Sequence, residues 1–257
     1  MIQPQFVDSE YLCAAARKRG YIHNLPIENR EPLHPLPPKT IFEAFPNYKK
    51  WWPSWDTRIQ LNFLRTCVAS PGLAKRISDN LASSGNPVPQ TVQKIVLKQC
   101  KKENLVWVGK NKLALLKPGE IECLLSFPKD HTRGLGTTGR YKSIGNSFHV
   151  DTVAYHLSVL RVIFPIGINV MSLFTGIGGG EVALHRLGIH MKTGRLTEID
   201  DVKSLTDERV ASFVTRFGGF DLVIGGSPCN NLVGCNRYTR NGLEGEQYVL
   251  FYVCQNP

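Results

Sequence analysis

Two apolar runs, each ending in glycines, constrain the fold of this chain most. The first, "INVMSLF", is followed by the glycine-rich turn "TGIGGG" and the helical pattern "EVALHRLG". The second, "FDLVIGG", follows the helical pattern "TDERVASFVTRFGG". Strand, glycine turn, helix, then helix and strand is the alternation found in parallel sheets with helices on both faces. We therefore predict an α/β fold with a doubly wound sheet, in which the second run forms a buried strand.

The glycine turn predicts a binding site. Gly176, Gly178 and Gly180 follow the first strand, so backbone N–H groups and the positive end of a helix face outward at the carboxyl edge of the sheet. The dinucleotide fingerprint would place a glycine where this chain has Glu181, and a negative side chain suits a pyrophosphate poorly. The spacing Gly-x-Gly-x-Gly after Phe174 matches proteins that hold S-adenosylmethionine. A turn with a purely structural role is the alternative.

A cysteine follows the second strand, in the segment "GGSPCNNL". Pro228 cannot extend strand pairing, and the asparagines after the cysteine supply hydrogen bonds rather than apolar packing. A thiolate at the end of a strand, near backbone donors, can act as a nucleophile, and Cys229 is the candidate. A buried cysteine without a catalytic role and a thiol protease that uses one of the histidines are the alternatives.

Charge is divided unevenly along the chain. Residues 1–150 contain 22 Lys and Arg against 11 Asp and Glu, whereas residues 151–257 contain 9 against 10. A basic part joined to a neutral part indicates that one part meets a polyanion and the other binds a small ligand. We therefore divide the chain into a basic part, residues 1–140, which would meet the polyanion, and a second part, residues 141–257, which would bind the small ligand. A generally basic, solvated surface is the alternative.

The composition argues against several other classes of protein. The seven cysteines are scattered and none forms a Cys-x-x-Cys pair, so neither a structural metal site nor a disulfide framework is predicted. No apolar run approaches the ~20 residues of a membrane-spanning helix, and the first residues lack the pattern of a signal peptide. We expect a soluble, intracellular protein with no metal and no membrane partner.

The rest of the pattern predicts helices, loops and one hairpin. The proline-rich residues 26–58 predict an irregular region, and residues 59–102 predict helices. Residues 105–116 predict two short strands around a turn, and residues 129–146 a polar loop. Residues 150–164 predict one amphipathic helix.

Seven segments along nearly the whole chain carry a resemblance to a known family. They are "QFVDSEY", "CAAARKRGYIHNLP", "KKWWPSWD", "NLVWVGKNK", "GRYKSIGNSFHVDTVAYHLSVL", "MSLFTGIGGGEVALHRLG" and "GGSPCNNL". Together they resemble the domains-rearranged DNA (cytosine-5) methyltransferases of plants, which are related to the animal de novo enzymes. In most cytosine-5 methyltransferases the segment that matches "SIGNSF" ends the catalytic domain, whereas here it precedes "FTGIGGG". This order is a circular permutation.

The resemblance implies a reaction and a set of site residues. The reaction is methyl transfer from S-adenosylmethionine to C5 of cytosine, of the kind used in RNA-directed de novo methylation, with Cys229 as the thiolate that attacks C6. The implied cofactor-binding residues are Phe174, Gly176, Gly178, Gly180, Asp201, Val202, Asn146, Ser147 and Phe148. The implied DNA- and base-binding residues are Arg17, Arg19, Asn230 and Arg237. For the two arginines, charges on a helix surface are the alternative.

The basic first part would then recognise DNA. It contains Lys49 and Lys50 beside the cluster Trp51, Trp52 and Trp55. We expect these tryptophans to pack in a core rather than to stack on bases. The resemblance also implies that this part is an irregular α+β region and that the protein resides in the nucleus.

Three departures from the family's pattern lead us to expect an incomplete chain. The first departure concerns the glutamate of the family's Glu-Asn-Val segment, which protonates the cytosine ring. This glutamate is expected shortly before "FVDSEY", at a position that the 257 residues do not include. Between Gly188 and Thr206, one strand, one helix and the acid that holds the ribose hydroxyls are expected to be missing, although Glu198 lies near the expected count. The third departure is at "LFYVCQNP", the last segment of this sequence, after which the family continues into a long helix.

These departures favour a chain that folds poorly or needs a partner, because a missing central strand exposes the edges of its neighbours. A catalytically silent relative, which binds DNA or forms a homodimer or a heterodimer with an active methyltransferase, is the alternative to an enzyme.

Overall fold

The computed structural model describes residues 3–62, 64, 70–192, 197–199 and 201–226. The chain divides into two compact units, which we call unit 1 (Met1–His156) and unit 2 (Leu157–Pro257). The division of function at residue 140 that the sequence predicts stays a prediction.

Among the described residues, unit 1 combines helices with two antiparallel pairs of short strands. The strands are β1 (Gln5–Val7), β2 (Arg19–Tyr21), β3 (Val106–Gly109) and β4 (Lys112–Ala114), paired as β1–β2 and β3–β4. The helices are α1 (Ile41–Ala44), α2 (Pro71–Ser83), α3 (Gln90–Glu103), α4 (Pro118–Leu124), α5 (Thr137–Asn146) and α6 (Val150–Leu157). The hairpin predicted over residues 105–116 is thereby confirmed.

The helices predicted over residues 59–102 are confirmed only from α2 onward. Helix α2 begins with a proline at its first position, where a missing N–H costs nothing, and α3 ends at Asn104, whose φ of 51° is the left-handed conformation of a C-terminal cap. The described residues before α2 are not helical. There Leu61 instead forms a bridge with Ala15, and its N–H donates to the carbonyl of Ala14 at 2.8 Å. Tertiary pairing therefore overrides the helical pattern in this segment.

The core of unit 1 lies between α2, α3 and the β3–β4 hairpin. Its buried residues are Ala74, Ile77, Leu81, Val96, Cys100, Leu105, Trp107 and Leu113. Trp52 and Trp55 pack against this cluster, as the sequence predicts. Trp51 differs, because 40% of it is exposed and its ring lies against the Lys50 ammonium at 5.2 Å.

The prediction of a polar loop over residues 129–146 is wrong at its second half, which forms α5. The buried carboxylate of Glu122 in α4 accepts a hydrogen bond from the Arg140 guanidinium at 2.9 Å, and the Tyr141 hydroxyl donates to the carbonyl of Leu116 at 2.8 Å. Both contacts are made to residues far from α5 in sequence. They stabilise a glycine-containing helix that local propensity disfavours.

Unit 2 contains the parallel strand pair that the sequence predicts. Its described elements are α7 (Leu160–Ile163), β5 (Val170–Leu173), α8 (Gly179–Arg186), a 3₁₀ turn (Val202–Ser204), α9 (Asp207–Phe217) and β6 (Leu222–Gly225). Strands β5 and β6 pair in parallel, with Val170 opposite Leu222 and Leu173 opposite Gly225. Their carboxyl ends therefore lie at one edge. The single helix predicted over residues 150–164 is instead divided into α6 and α7.

Strand β6 is less buried than its apolar sequence predicts. Val223 is 45% exposed, because none of the described elements covers that face of the strand. On the other side of β5, Ile168 forms a parallel bridge with Met191. Among the described residues the parallel sheet has two strands, and helices combined with small sheets are consistent with the coarse α/β prediction.

Candidate functional site

A cavity of about 910 Å³ lies in unit 2 at the carboxyl end of β5. Its volume is in the range of small-molecule sites. It is lined by Asn169, Val170, Met171, Ser172, Leu173, Phe174, Thr175, Gly176, Gly178, Glu181, Met191, Thr197, Glu198, Ile199, Val202, Leu205, Phe213, Phe217 and Phe220. The predicted cofactor residues Phe174, Gly176, Gly178 and Val202 are therefore brought together around one space.

The turn between β5 and α8 has a backbone that requires glycine. Gly176 and Gly178 have φ values of 56° and 71°, in the left-handed region that other residues rarely adopt. Phe174 also has a positive φ, 55°, although it carries a bulky side chain. Strained backbone of this kind persists only where the surrounding structure enforces it, and it concentrates at ligand sites. The turn is therefore shaped by more than local sequence preference.

Gly180 allows α8 to pack against the sheet, and its predicted role in cofactor binding stays a prediction. It is buried in the first turn of α8, and a Cβ atom there would lie 3.1 Å from Cδ1 of Ile224 in β6. The glycine therefore allows α8 to approach the sheet closely. Its predicted role in cofactor binding is not supported by a place in the cavity lining.

Asp201 and Val202 have different roles. The Asp201 carboxylate accepts a hydrogen bond from the backbone N–H of Lys203 at 2.9 Å and so caps the 3₁₀ turn, and Asp201 does not line the cavity. Val202 does line it. Glu198, the acid nearest the position expected for a ribose ligand, also lines the cavity and is exposed.

Sequence reasoning missed the aromatic wall of the cavity. Phe213 and Phe217 come from one face of α9, and Phe220 from the segment before β6. The rings of Phe213 and Phe217 stack with their centroids 6.1 Å apart. The spacing of four residues was visible in the sequence, but periodicity alone does not tell which element a helix face contacts.

The predicted segment Asn146–Phe148 lies in unit 1, where Arg17 holds it. The Arg17 guanidinium donates hydrogen bonds to the carbonyls of Gly145 at 2.8 Å and Leu64 at 2.9 Å, and also to the carbonyl of Ser147. Burial, and secondarily the nearby Arg19 charge, lowers the pKa of Arg17 to about 10, so the side chain remains cationic at neutral pH. Arg17 therefore anchors this segment to the start of the chain.

The two arginines predicted to contact DNA are in different environments. Arg17 is only 1% exposed and lies outside the helices, so the alternative of a charge on a helix surface is wrong for it. Arg19 is half-buried on β2. Contact with DNA stays a prediction for both residues.

Three predicted residues lie outside the described part of the chain. They are the nucleophile Cys229 and the predicted DNA contacts Asn230 and Arg237. Strand β6, which precedes them, ends at Gly225 on the same edge as the glycine turn. Within the described ranges, no group of three or more potential metal ligands occurs, and none of the helices has the length and apolar character of a membrane span.

Comparison with known proteins decides the family. "DNA (cytosine-5)-methyltransferase DRM2" of Oryza sativa subsp. japonica is 63% identical over 275 residues, which cover 98% of this chain and 46% of that protein. The protein of the same name from Arabidopsis thaliana is 56% identical over 98% of this chain and 45% of its own length. The chain belongs to the domains-rearranged DNA (cytosine-5) methyltransferase family. The family resemblance carried by the seven sequence segments is thereby confirmed.

The domains-rearranged family includes proteins that are named as inactive. "Probable inactive DNA (cytosine-5)-methyltransferase DRM3" of Oryza sativa subsp. japonica is 37% identical over 96% of this chain and 40% of its own length. The chain thus spans less than half the length of these curated domains-rearranged relatives. No protein-family model matches the chain.

Proposed function

We propose that this chain is the catalytic region of an S-adenosylmethionine-dependent DNA cytosine-5 methyltransferase of the plant de novo type. The observation that carries the proposal is the cavity at the carboxyl end of β5, lined by the glycine turn that the sequence predicts as a cofactor site. Relatives that carry the methyltransferase name over 98% of this chain support it.

The cavity fits S-adenosylmethionine in size and character. Aromatic and aliphatic side chains suit an adenosine group, and the glycine turn leaves room for a close approach of the ligand to the backbone. Phe174, Gly176, Gly178 and Val202 would hold the cofactor, which supplies an electrophilic methyl group on a sulfonium sulfur. The assignment of Asn146, Ser147 and Phe148 as cofactor-binding residues remains a proposal that rests on the family.

Cys229 is the proposed nucleophile. Its thiolate would form a bond to cytosine C6, which makes C5 nucleophilic enough to take the methyl group. Methyl transfer would break the bond between the methyl carbon and the sulfonium sulfur and leave S-adenosylhomocysteine. Loss of the C5 proton to a base and breakage of the bond between the Cys229 sulfur and C6 would then restore the ring and the thiolate. The target base has to leave the DNA stack to reach such a group, at a cost of a few kcal/mol.

The finer fold proposed is the circularly permuted, doubly wound methyltransferase sheet. The parallel pairing of β5 with β6 and the order of α8, α9 and β6 support it. The expected loss of one strand and one helix is also part of this proposal. Between Gly188 and Thr206, the described residues contain the bridge at Met191 and the 3₁₀ turn.

DNA is the proposed partner of unit 1. Lys94, Lys98 and Lys101 are exposed, and their spacing places them on one face of α3. Each phosphate contact that such a face makes contributes about 0.9 to the slope of log affinity against log salt. Replacing the three lysines by glutamine should therefore flatten this slope by up to about 3, in a titration of duplex DNA at several salt concentrations.

A catalytically silent role is the second candidate. It is favoured by the 37% identity to a relative that is named as probably inactive. In that case the chain would bind DNA or form a dimer with itself or with an active methyltransferase. Nuclear residence is proposed for either candidate and can be tested by imaging a fluorescent fusion in plant cells.

Transfer of a radiolabelled methyl group to cytosine-containing duplex DNA separates the two candidates. An enzyme should label the duplex, and Cys229→Ser should abolish labelling without lowering affinity for DNA. DNA binding that is sensitive to salt, with no labelling by the unsubstituted chain, would instead favour the silent role.

A further inference from the structure

One carboxylate oxygen in the cavity of unit 2 has no hydrogen-bond partner among the described residues. Oε2 of Glu181 is buried, and it makes no hydrogen bond with any described residue. Glu181 lies in the first turn of α8 and lines the cavity. A buried acceptor without a donor costs free energy, and more so when it belongs to a charged group. A ligand that supplies a donor at this position would remove that cost.

The position of this oxygen is set by the glycine turn. A Cβ atom at Gly178 would lie 3.7 Å from Glu181 Oε2, so the carboxylate lies against the turn rather than extending into solvent. Gly178 is itself held in the left-handed conformation at the start of α8. The orphan acceptor is therefore part of the surface that a ligand seated on the turn would contact.

The charged residues of the cavity are all acidic. Glu181 and Glu198 line it, and its described lining contains no Lys, Arg or His. The chain as a whole carries a formal charge of +10. An acidic, largely apolar cavity in a basic protein favours a cationic ligand with an apolar body and disfavours a phosphate-bearing one.

The chemistry of the proposed cofactor indicates which of its groups meets Glu181. S-adenosylmethionine has two cationic groups, a sulfonium and an α-ammonium. The sulfonium has no N–H or O–H and cannot donate a conventional hydrogen bond, whereas the ammonium has three donors. A charge-assisted hydrogen bond to a carboxylate is also among the stronger kinds.

We propose that Glu181 accepts a hydrogen bond from the α-ammonium group of the cofactor and so selects a ligand with an amino-acid end. This inference rests on the proposed function, because it assumes that S-adenosylmethionine occupies this cavity. It assigns a specificity-determining role to the residue that replaces the third glycine of the dinucleotide fingerprint.

A cycle of two ligands and two proteins tests the role of Glu181 directly. The ligands are S-adenosylhomocysteine and its deaminated analogue, which differs only by the ammonium group. The proteins are the 257-residue chain and its Glu181→Gln variant, which keeps the side-chain shape. Four dissociation constants from isothermal titration calorimetry give the coupling between the carboxylate and the ammonium.

The expected result is a loss of about tenfold to a hundredfold in affinity for S-adenosylhomocysteine in Glu181→Gln. The deaminated analogue should bind both proteins equally. The coupling factor is the loss of affinity that Glu181→Gln causes for S-adenosylhomocysteine, divided by the loss that it causes for the deaminated analogue. A coupling factor of fivefold or more supports the assignment, and a smaller factor overturns it. Glu208→Gln is the matched control, because Glu208 is exposed on α9 and does not line the cavity.

Two further measurements distinguish a failure of the Glu181 assignment from a failure of the proposed function. If the unsubstituted chain binds neither S-adenosylhomocysteine nor S-adenosylmethionine, the proposed function itself is refuted. Thermal unfolding without ligand should show Glu181→Gln to be at least as stable as the unsubstituted chain, because the carboxylate oxygen that it replaces makes no hydrogen bond with any described residue. A clear loss of stability would show that Glu181 has a structural partner and would overturn the ligand role.

Discussion

Replacing Asp56 by Asn should destabilise unit 1 by about 3–5 kcal/mol, because it removes one partner of a buried ion pair. Asp56 and Arg58 lie in the segment "WWPSWDTR", and their side chains are 0% and 5% exposed. The Arg58 guanidinium donates to Asp56 Oδ2 at 2.8 Å through Nη2 and to Oδ1 at 3.0 Å through Nε. The carboxylate thus neutralises a cation that has little access to water.

The magnitude follows from what surrounds the pair. Asp56 Oδ2 also accepts a hydrogen bond from the buried Trp107 indole N–H at 2.7 Å. Arg58 donates further bonds to the carbonyls of Cys100 at 3.0 Å and Leu105 at 2.9 Å, so its position is fixed. An asparagine fits the same volume, but its NH2 group would replace one of the two carboxylate oxygens. At either oxygen position, this group would face an N–H donor of Arg58, and at the Oδ2 position also that of Trp107. The cost therefore includes both an unpaired charge and a donor–donor conflict.

Urea unfolding followed by tryptophan fluorescence measures this cost in unit 1 alone, because all four tryptophans lie there. A loss of 3–5 kcal/mol is a large fraction of the 5–15 kcal/mol that is typical of a whole domain. The urea midpoint should therefore fall by more than 1 M, given a slope of about 1–3 kcal/mol per molar.

Lys102→Gln is the matched control, because it removes an ion pair with Glu103 in which the lysine side chain is 57% exposed. Such pairs contribute at most about 1 kcal/mol. If Asp56→Asn costs no more than this control, the buried network does not stabilise unit 1 and the reasoning is refuted. The double variant Asp56→Asn with Arg58→Met should recover part of the loss, because it also removes the orphaned charge.

Three further predictions concern pH and glycine positions. Burial, and secondarily the Arg30 charge, lowers the pKa of His156 to about 4 from an ordinary 6.5. The unfolded chain therefore takes up this proton first, so stability should fall as the pH drops from 6.5 to 4, and His156→Gln should remove that part of the fall in urea midpoints. Gly180→Val should lower the free energy of unfolding by about 1–3 kcal/mol, because the larger side chain would press on Ile224. The melting temperature followed by circular dichroism should therefore fall, and an unchanged melting temperature would contradict this packing role. Gly167→Ala should cost a similar amount, since its φ is 99° and a Cβ would lie 2.5 Å from a facing backbone carbonyl, and a variant of full stability would show that this backbone relaxes freely.

The parallel strand pair and the glycine turn could be predicted from the sequence because each depends on local pattern. Apolar runs of strand length define β5 and β6, and helical periodicity defines α8 and α9. Gly188 at φ 70° follows α8 as the pattern predicts. The same reasoning reached four residues of the cavity lining, Phe174, Gly176, Gly178 and Val202.

The parts that sequence reasoning missed depend on distant partners. Helix α5 depends on the contact of Arg140 with Glu122, and a local reading sees only a polar, glycine-containing stretch. The aromatic wall of α9 was visible as a period but not as one wall of a cavity. The oxygen of Glu181 that has no partner among the described residues is likewise not visible in a sequence, because it depends on which donors the fold places near it.

The bonds of Arg17 to residues 145 and 147 have a consequence for how the chain folds as it is synthesised. They join positions 128 and 130 residues apart, so Arg17 cannot reach these contacts until the ribosome has added the residues between them. At a synthesis rate of about 5–20 residues per second, this delay is on the order of ten seconds. During that interval the apolar segment around Ala14 and Ala15, which is 0% exposed in the folded protein, stays available to chaperones. We expect these contacts to form after the local ones, because closing so long a loop costs entropy that local contacts do not.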